Sequence, residues 1–241
     1  MLKIESLEKK YVVGEKDVPV LKDVSVEINE GDFVMIMGES GSGKSTFLNC
    51  ISTLDSPNAG VVSFEGSNLA AVKYREIEKI RLHSFGFIFQ DNHMIDGLTI
   101  LENVIVSRLQ YDKDAETKGI ELLEQLNIAH LKDNYPHQVS GGEKQRAAIA
   151  RALVNDPKLI FADEPTASLN PKTAEQIMGD LIELNKAGQT IVMVTHSMRI
   201  ASYGTRLLVL VDQNFIEDIE IEGDSISDRR EFVESVVGKY L

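Results

Sequence analysis

Eight consecutive residues, Gly38-Glu39-Ser40-Gly41-Ser42-Gly43-Lys44-Ser45, restrict the folding choices of this chain more than any other segment. They match the pattern G-x-x-x-x-G-K-[ST] at every defined position. An apolar run at 33–37 with strand character precedes them, and a helical pattern through Leu48 follows. Glycines let the backbone curl around a group of negative charges, aiming successive N–H groups and a helix N-terminus at it. The spacing therefore predicts a phosphate cradle. Lys44 reaches the β and γ phosphates of a nucleotide, Ser45 offers a hydroxyl to Mg2+, and Thr46 carries the cradle into the helix. A Gly/Ser-rich surface loop would account for the composition but not for a strand before it and a helix behind it.

Around the cradle, short β-rich runs alternate with helical patterns. Strands are expected at 24–28, 33–37, 61–64, 85–89, 159–162, 191–195, 206–211 and 215–221. Such alternation means an α/β fold with a parallel sheet. The stretch 91–157 breaks the rhythm, because 100–109, 115–126 and 143–154 all read with helical spacing. It is expected to be a helical subdomain (about 91–157) inserted into a core formed by about 1–90 and 158–241, the whole being one domain of 241 residues. Asn170 followed by Pro171 signs the start of a helix that Gly188 closes. In the tail 228–241, Phe232, Val233, Val236, Val237 and Tyr240 fall on one helical face, the pattern of a helix docked on its own core.

Charge and cysteine usage exclude several function classes. With 25 basic and 38 acidic residues the net charge is −13, which repels nucleic acid backbones and anionic headgroups. Neither nucleic acid nor a bare membrane surface is an expected partner. Cys50 is the single cysteine, and the start Met1-Leu2-Lys3-Ile4-Glu5 lacks a signal-peptide pattern, so a cytoplasmic address is expected. Apolar runs such as 33–37 and 207–211 have strand length, far short of the ~20 residues that span a bilayer. Any service to a membrane is expected to pass through another chain.

Two further constellations carry chemistry. Asp163 and Glu164 are adjacent carboxylates at the end of the apolar strand 159–162. Beside a phosphate cradle, a strand-end aspartate holds Mg2+, and the next carboxylate can orient and deprotonate an attacking water. Without the cradle, an ordinary acidic strand exit explains them equally well. His196 follows the strand 191–195, whereas His83, His93, His130 and His137 lie in helix or loop surroundings with no ligand spacing. Ser140-Gly141-Gly142-Glu143 precedes a helix, and Ser140 with Glu143 fits a capping box. A capping box needs no pair of glycines, so spacing leaves two readings open: a glycine-rich cap, or a second anion site for a γ-phosphate carried by another molecule.

The order of these pieces, with Val139-Ser140-Gly141-Gly142-Glu143-Lys144-Gln145-Arg146 between the cradle and Asp163-Glu164, resembles the ATP-binding-cassette ATPases over residues 11 to about 211. The resemblance implies a P-loop NTPase core with an inserted helical subdomain and an antiparallel β portion. It also implies two cassettes that sandwich two ATP molecules head to tail, the Ser140-Gly141-Gly142 tip of each completing the site of the other. Carried over by position, Gln90 reaches Mg2+ and the attacking water and links to the membrane partner. His196 contacts the γ-phosphate, and Glu164 is the general base; Tyr11 stacks on adenine, a place where an aromatic equally suits core packing. The segments 67–69, 85–90, 98–104 and 161–166 are similar to the branch that contains lipoprotein-releasing, macrolide-efflux and peptide-antibiotic-resistance ATPases, and Arg229-Arg230-Glu231-Phe232 to the antibiotic-peptide group. Glu143 and Asn170 depart from the usual glutamine and aspartate, and both suit helix capping.

The resemblance thus implies an ATPase subunit that pairs through ATP and drives a separate transmembrane permease for export or resistance, peripheral on the inner face of the cell membrane without inserting into it. A cassette that signals across the membrane without transport uses the same residues. A P-loop kinase would leave Ser140-Gly141-Gly142 and His196 without a task.

Overall fold

The computed structural model describes residues 1–109 and 111–240. Leu241, the last residue of the expected tail helix, lies outside them. The chain divides into two compact units, Met1–Glu78 with Asn185–Leu241, and Lys79–Leu184.

The first unit holds an antiparallel sheet in the order β2 (Lys16–Ile28), β1 (Leu2–Val13), β4 (Ala59–Phe64), β5 (Ser67–Asn68). Over 2–9 and 21–28 its two long strands place buried residues between exposed ones, as a sheet with one packed face must, while 10–13 and 16–19 are exposed throughout. A second group is built on β3 (Phe33–Met37), which pairs in parallel with β8 (Thr190–Val194) and β9 (Arg206–Val211), while β10 (Asn214–Glu220) runs antiparallel to β9. Every residue of β3 and β8 is buried. Strands covered on both faces read as unbroken apolar runs, and each such side chain contributes about 1.5–3 kcal/mol on burial. Helix α1 (Lys44–Ile51) follows β3 and buries Phe47, Leu48 and Ile51. The boundary strand β10 is tied down by Arg206, whose guanidinium bonds Asp218 at 2.6 and 2.7 Å and Asp32 at 3.1 Å.

The second unit pairs β6 (Phe85–Ile88) in parallel with β7 (Leu159–Asp163). Between them come α3 (Ile100–Ile105), α4 (Ala115–Gln125) and α5 (Gly141–Leu153), and after them α6 (Pro171–Lys186). Thr99 and Glu102 form a capping box at α3, and the Asn170 side chain accepts from the Thr173 N–H at 3.0 Å to cap α6. Asn103 is fully buried and knits the preceding loop onto α3. Its side chain accepts from Ile95 N–H at 2.7 Å and donates to the carbonyls of Ile95, Leu98 and Thr99 at 2.9–3.1 Å.

Three differences from the sequence reading have physical causes. The helix expected to Leu109 stops at Ile105 and continues as turns, with Arg108 drawn aside to Asp112 at 2.6 Å, Asp156 at 3.1 Å and the Val154 carbonyl. Strands β1 and the first half of β2 went unread because charged residues interrupt the apolar positions of β1 and nothing in 16–19 is buried. Helix α2 (Tyr74–Ser84) buries no residue, so no apolar stripe announces it. The tail folds only in part as expected: α8 (Ile226–Val237) buries Val233, Val236 and Val237 and packs against α7 (Met198–Ala201), but Phe232 is half-buried and Tyr240 lies exposed beyond the helix end. Among the described residues no helix is long and apolar enough to cross a membrane.

Candidate functional site

In the first unit the chain leaves β3 at Met37 and turns through residues 38–43 into α1. Gly43 is the N-cap residue, held at φ 105°. A Cβ there would meet both the carbonyl and Cγ1 of Val20 at 2.9 Å, so glycine is required twice, by conformation and by the close approach of β2. Lys44 is buried and folds back across the loop, its Nζ donating to the carbonyls of Gly38 at 2.9 Å and Glu39 at 2.7 Å. The hydroxyl of Ser42 is buried without any partner. An orphaned buried hydroxyl costs about 1–3 kcal/mol unless something fills its need. A loop with an unmet donor, a folded-back ammonium and a helix N-terminus fits an incoming polyphosphate. Glu39, Ser40, Gly41 and Ser45 are exposed along its rim.

Two other predicted residues sit beside this cradle. In the parallel register Ile36 faces Val194, so Gly38 and His196, each two residues further on, emerge at the same carboxyl end of neighbouring strands. His196 is exposed, presented by a turn in which the Thr195 hydroxyl accepts from the Ser197 N–H at 3.1 Å. Tyr11, on β1, directs its hydroxyl to Asp55 at 2.9 Å, and the side chain of Thr46 hydrogen-bonds the same phenol. Burial first, and then the Asp55 bond, raise the Tyr11 pKa.

The second unit repeats this strand-end logic. Ile88 faces Ala162 in the register of β6 and β7, which brings Gln90, Asp163 and Glu164 out at one carboxyl end. Glu164 adopts φ 47°, a left-handed conformation that costs a non-glycine residue roughly 1–2 kcal/mol. The Ala167 N–H to Glu164 carbonyl bond at 3.1 Å closes the turn that holds it there. Such a conformation persists only where the surrounding structure over-determines it. Hard oxygen donors such as these strand-end carboxylates suit Mg2+, which is held by one or two carboxylates together with substrate phosphates.

Ser140 and Glu143 make the predicted capping box. Ser140 N–H donates to Glu143 Oε2 at 2.7 Å, the Ser140 hydroxyl donates to the same oxygen at 2.7 Å, and Glu143 N–H returns a bond of 3.4 Å. The Ser140 hydroxyl and backbone bonds hold the Glu143 carboxyl below its usual range. The two glycines differ. A Cβ on Gly142 would lie 2.4 Å from Thr173 Cγ2 of α6, so a side chain there would force a shift in the packing. A Cβ on Gly141 would meet only Leu169 Cδ2 at an ordinary 3.6 Å, and no positive φ is required there. The fold tolerates a side chain at Gly141, and the position is exposed.

Sequence reasoning missed several supporting residues. Gln145 is buried on α5 and donates to the Phe89 carbonyl at 3.2 Å, fixing the strand end that carries Gln90. Arg151 donates to the carbonyls of His93 and Asn92, and burial lowers its pKa. It lines a cleft of about 280 Å3 with Arg81, Phe87, Phe89, His93 and Asn155. A glutamine and an arginine amid the alanines of α5 were the available signal, hidden because a polar residue in a helix reads as its solvent face.

A glycine-rich cradle capping a helix at the carboxyl end of a buried parallel strand, in an α/β fold with strand-end carboxylates, defines a P-loop nucleotide-hydrolysing protein. The profile of the ABC transporter family matches residues 21–167, and the chain belongs to that family. It is an ATP-binding ATPase. A solved dimeric structure of the ATP-binding cassette MJ0796, described as a post-hydrolysis state bound to ADP and Pi, superposes with a TM-score of 0.85 at 39% identity, covering 92% of this chain and 100% of that one. That cassette comes from Methanocaldococcus jannaschii. The bacitracin export ATP-binding protein BceA of Halalkalibacterium halodurans is 40% identical over 217 residues, 88% of this chain and 85% of that protein. The macrolide export ATP-binding/permease protein MacB of Chlorobaculum tepidum is 40% identical over 224 residues, but these are 90% of this chain and only 34% of MacB.

Proposed function

We propose that two copies of this chain close head to tail on two molecules of Mg-ATP and that closure and release drive a separate transmembrane permease for export. The observation that carries this reading is Gly141. A glycine at an exposed first helical turn sacrifices stability, yet neither packing nor backbone conformation demands it. Close approach by a group from outside the chain supplies the missing reason, and the helix N-terminus favours an anion.

Each residue then has a task. Backbone N–H groups of 38–45 and the Lys44 ammonium hold the β and γ phosphates, and Tyr11 stacks on the base. Ser45, Asp163 and Gln90 would hold Mg2+, whose charge would offset that developing on the phosphate oxygens. The Glu164 carboxylate takes a proton from the attacking water as its oxygen bonds the γ-phosphorus and the bond to ADP breaks. His196 donates to the γ-phosphate. Ser140, Gly141 and Gly142 of the opposite copy, with Glu143 orienting the Ser140 hydroxyl, hold that phosphate from the other side. Loss of the γ-phosphate removes the bridge, so the closed dimer is favoured only by the triphosphate.

The cleft beside Phe89 is where we place the permease, because it joins an aromatic floor to the Arg81 and Arg151 cations and adjoins Gln90. Movement of the helical segment 91–157 would pass through it. The export names of BceA and MacB support outward transport, and the ATPase would then lie peripherally on the inner membrane face. A mixing experiment tests the composite site. Lys44→Ala disables a chain's own cradle, and Gly141→Asp sets a carboxylate against the partner's phosphate; each variant alone is inactive. Mixed, they form dimers with one intact composite site, and hydrolysis returns. Continued inactivity of the mixture, both proteins being folded, contradicts the head-to-tail arrangement.

A further inference from the structure

Beside the cradle lies a cluster that the reaction does not call on. Lys9 is only 7% exposed, and its ammonium stands 4.9 Å from the centroid of the Tyr11 ring. The same ammonium donates to Asp55 Oδ1 at 2.7 Å and to the Ser56 carbonyl at 2.7 Å. The other carboxylate oxygen of Asp55 accepts from the Tyr11 hydroxyl at 2.9 Å. Tyr11 is thus held by a cation over its ring and by the Asp55 carboxylate and Thr46 side chain at its tip, while it remains 40% exposed. Burial alone would lower the Lys9 pKa and raise that of Asp55. The bonds within the cluster reverse both, holding Lys9 charged and Asp55 ionised.

The cluster is not needed to anchor its own loop. The segment after α1 is already sewn to β1 by Asn58 N–H to the Glu8 carbonyl at 2.8 Å and by Lys10 N–H to Asn58 Oδ1 at 2.8 Å. A buried cation aimed at an aromatic face is a costly way to repeat that work. It does achieve something those bonds do not, which is to fix the plane of one exposed ring. Tyrosine otherwise has two free torsions, and immobilising such a side chain on binding costs affinity.

We infer that Lys9 and Asp55 are positioning residues that preorganise the Tyr11 ring as a platform for the purine of the bound nucleotide. The cation occupies one side of the ring and draws on its π electrons; the other side is left for the base. This rests on the proposed stacking role of Tyr11 and adds the device that makes the stacking effective.

The test compares ligands with and without a base. Dissociation constants for ATP and for inorganic tripolyphosphate are measured on the full chain, and their ratio reports the base alone. Tyr11→Ala should reduce the advantage of ATP by about 5- to 150-fold, the range for losing one aromatic–base stack. Lys9→Met and Asp55→Ala should each reduce it about three- to tenfold with tripolyphosphate binding unchanged, and Lys9→Arg should restore it. Tyr11→Phe and Asp55→Ala should add less than fully, since both remove the bond between the phenol and Asp55. Were Lys9 and Asp55 merely structural, tripolyphosphate and ATP would weaken together. If Tyr11→Ala lowers the ratio while Lys9→Met, Lys9→Arg, Asp55→Ala and Asp55→Asn leave it within twofold of the parent, the positioning role is overturned and the platform stands. If Tyr11→Ala itself leaves the ratio unchanged, both fall.

Discussion

Replacing Gly141 and Gly142 in turn by alanine separates packing from function within one dipeptide. At Gly142 the new methyl would sit 2.4 Å from Thr173 Cγ2, well inside contact distance, against a β-branched side chain on a capped helix. Overpacking of this kind costs about 1–3 kcal/mol, which for a chain of this size lowers Tm by about 2–12 °C. Truncating Thr173 to alanine in the same chain should recover most of that loss, because the two changes share one contact. At Gly141 the methyl has room, and exchanging a helical glycine for alanine stabilises by up to about 1 kcal/mol. Thermal unfolding of Gly141→Ala should therefore occur at or slightly above the parental Tm. ATP hydrolysis should move the other way, because the same methyl blocks the approach of a γ-phosphate, and a misfit of about 1.4 kcal/mol is already tenfold. A Gly141→Ala protein of undiminished Tm and parental hydrolysis rate would refute the assignment of this glycine to a ligand.

The remaining expectations concern the supports of the site. Asn103→Leu strips the partner from one N–H and three carbonyls and should destabilise by about 2–4 kcal/mol, read as a Tm drop of roughly 4–16 °C; an unchanged Tm would mean that loop 91–98 does not depend on it. Glu143 has its folded pKa depressed from 4.5 by Ser140, so its contribution is present above pH 4.5 and is lost as pH falls through the lower folded value. The Tm advantage of the parent over Glu143→Gln should accordingly shrink below about pH 4.5, and a constant difference from pH 3 to 6 would oppose it. Glu164→Gly should relieve the left-handed strain at φ 47°, raising stability by about 1 kcal/mol while abolishing hydrolysis. A drop in Tm for that variant would show that its side-chain contacts outweigh the strain.

How much of this was legible in the sequence depended on whether a residue's task left a local pattern. The cradle did, because glycine spacing, the strand before it and the helix behind it all lie within about twenty residues of one another. Strands β3, β8 and β9 were equally plain, being apolar on both faces. Helix α2 was invisible because nothing on it is buried, and β1 was obscured by Lys3, Glu5, Glu8 and Lys10 on its outer face. The strand-end residues Gln90, Asp163, Glu164 and His196 could be named, but their grouping in pairs at the carboxyl ends needed the registers Ile88–Ala162 and Ile36–Val194. Lys9 and Asp55, 46 positions apart, carry no motif at all, and only the folded chain sets them around one ring. The sequence left two readings of Ser140-Gly141-Gly142-Glu143 open. The structure builds the capping box with Ser140 and Glu143 and leaves Gly141 without a packing reason.

The arrangement of two copies around shared nucleotide is tested most directly by the molar mass in solution of Glu164→Gln, a variant able to bind ATP but lacking the base that destroys it. With saturating Mg-ATP the mass should double relative to the nucleotide-free protein and fall back when ADP replaces ATP. A variant that binds Mg-ATP stoichiometrically yet keeps the mass of one chain at high protein concentration would contradict the account.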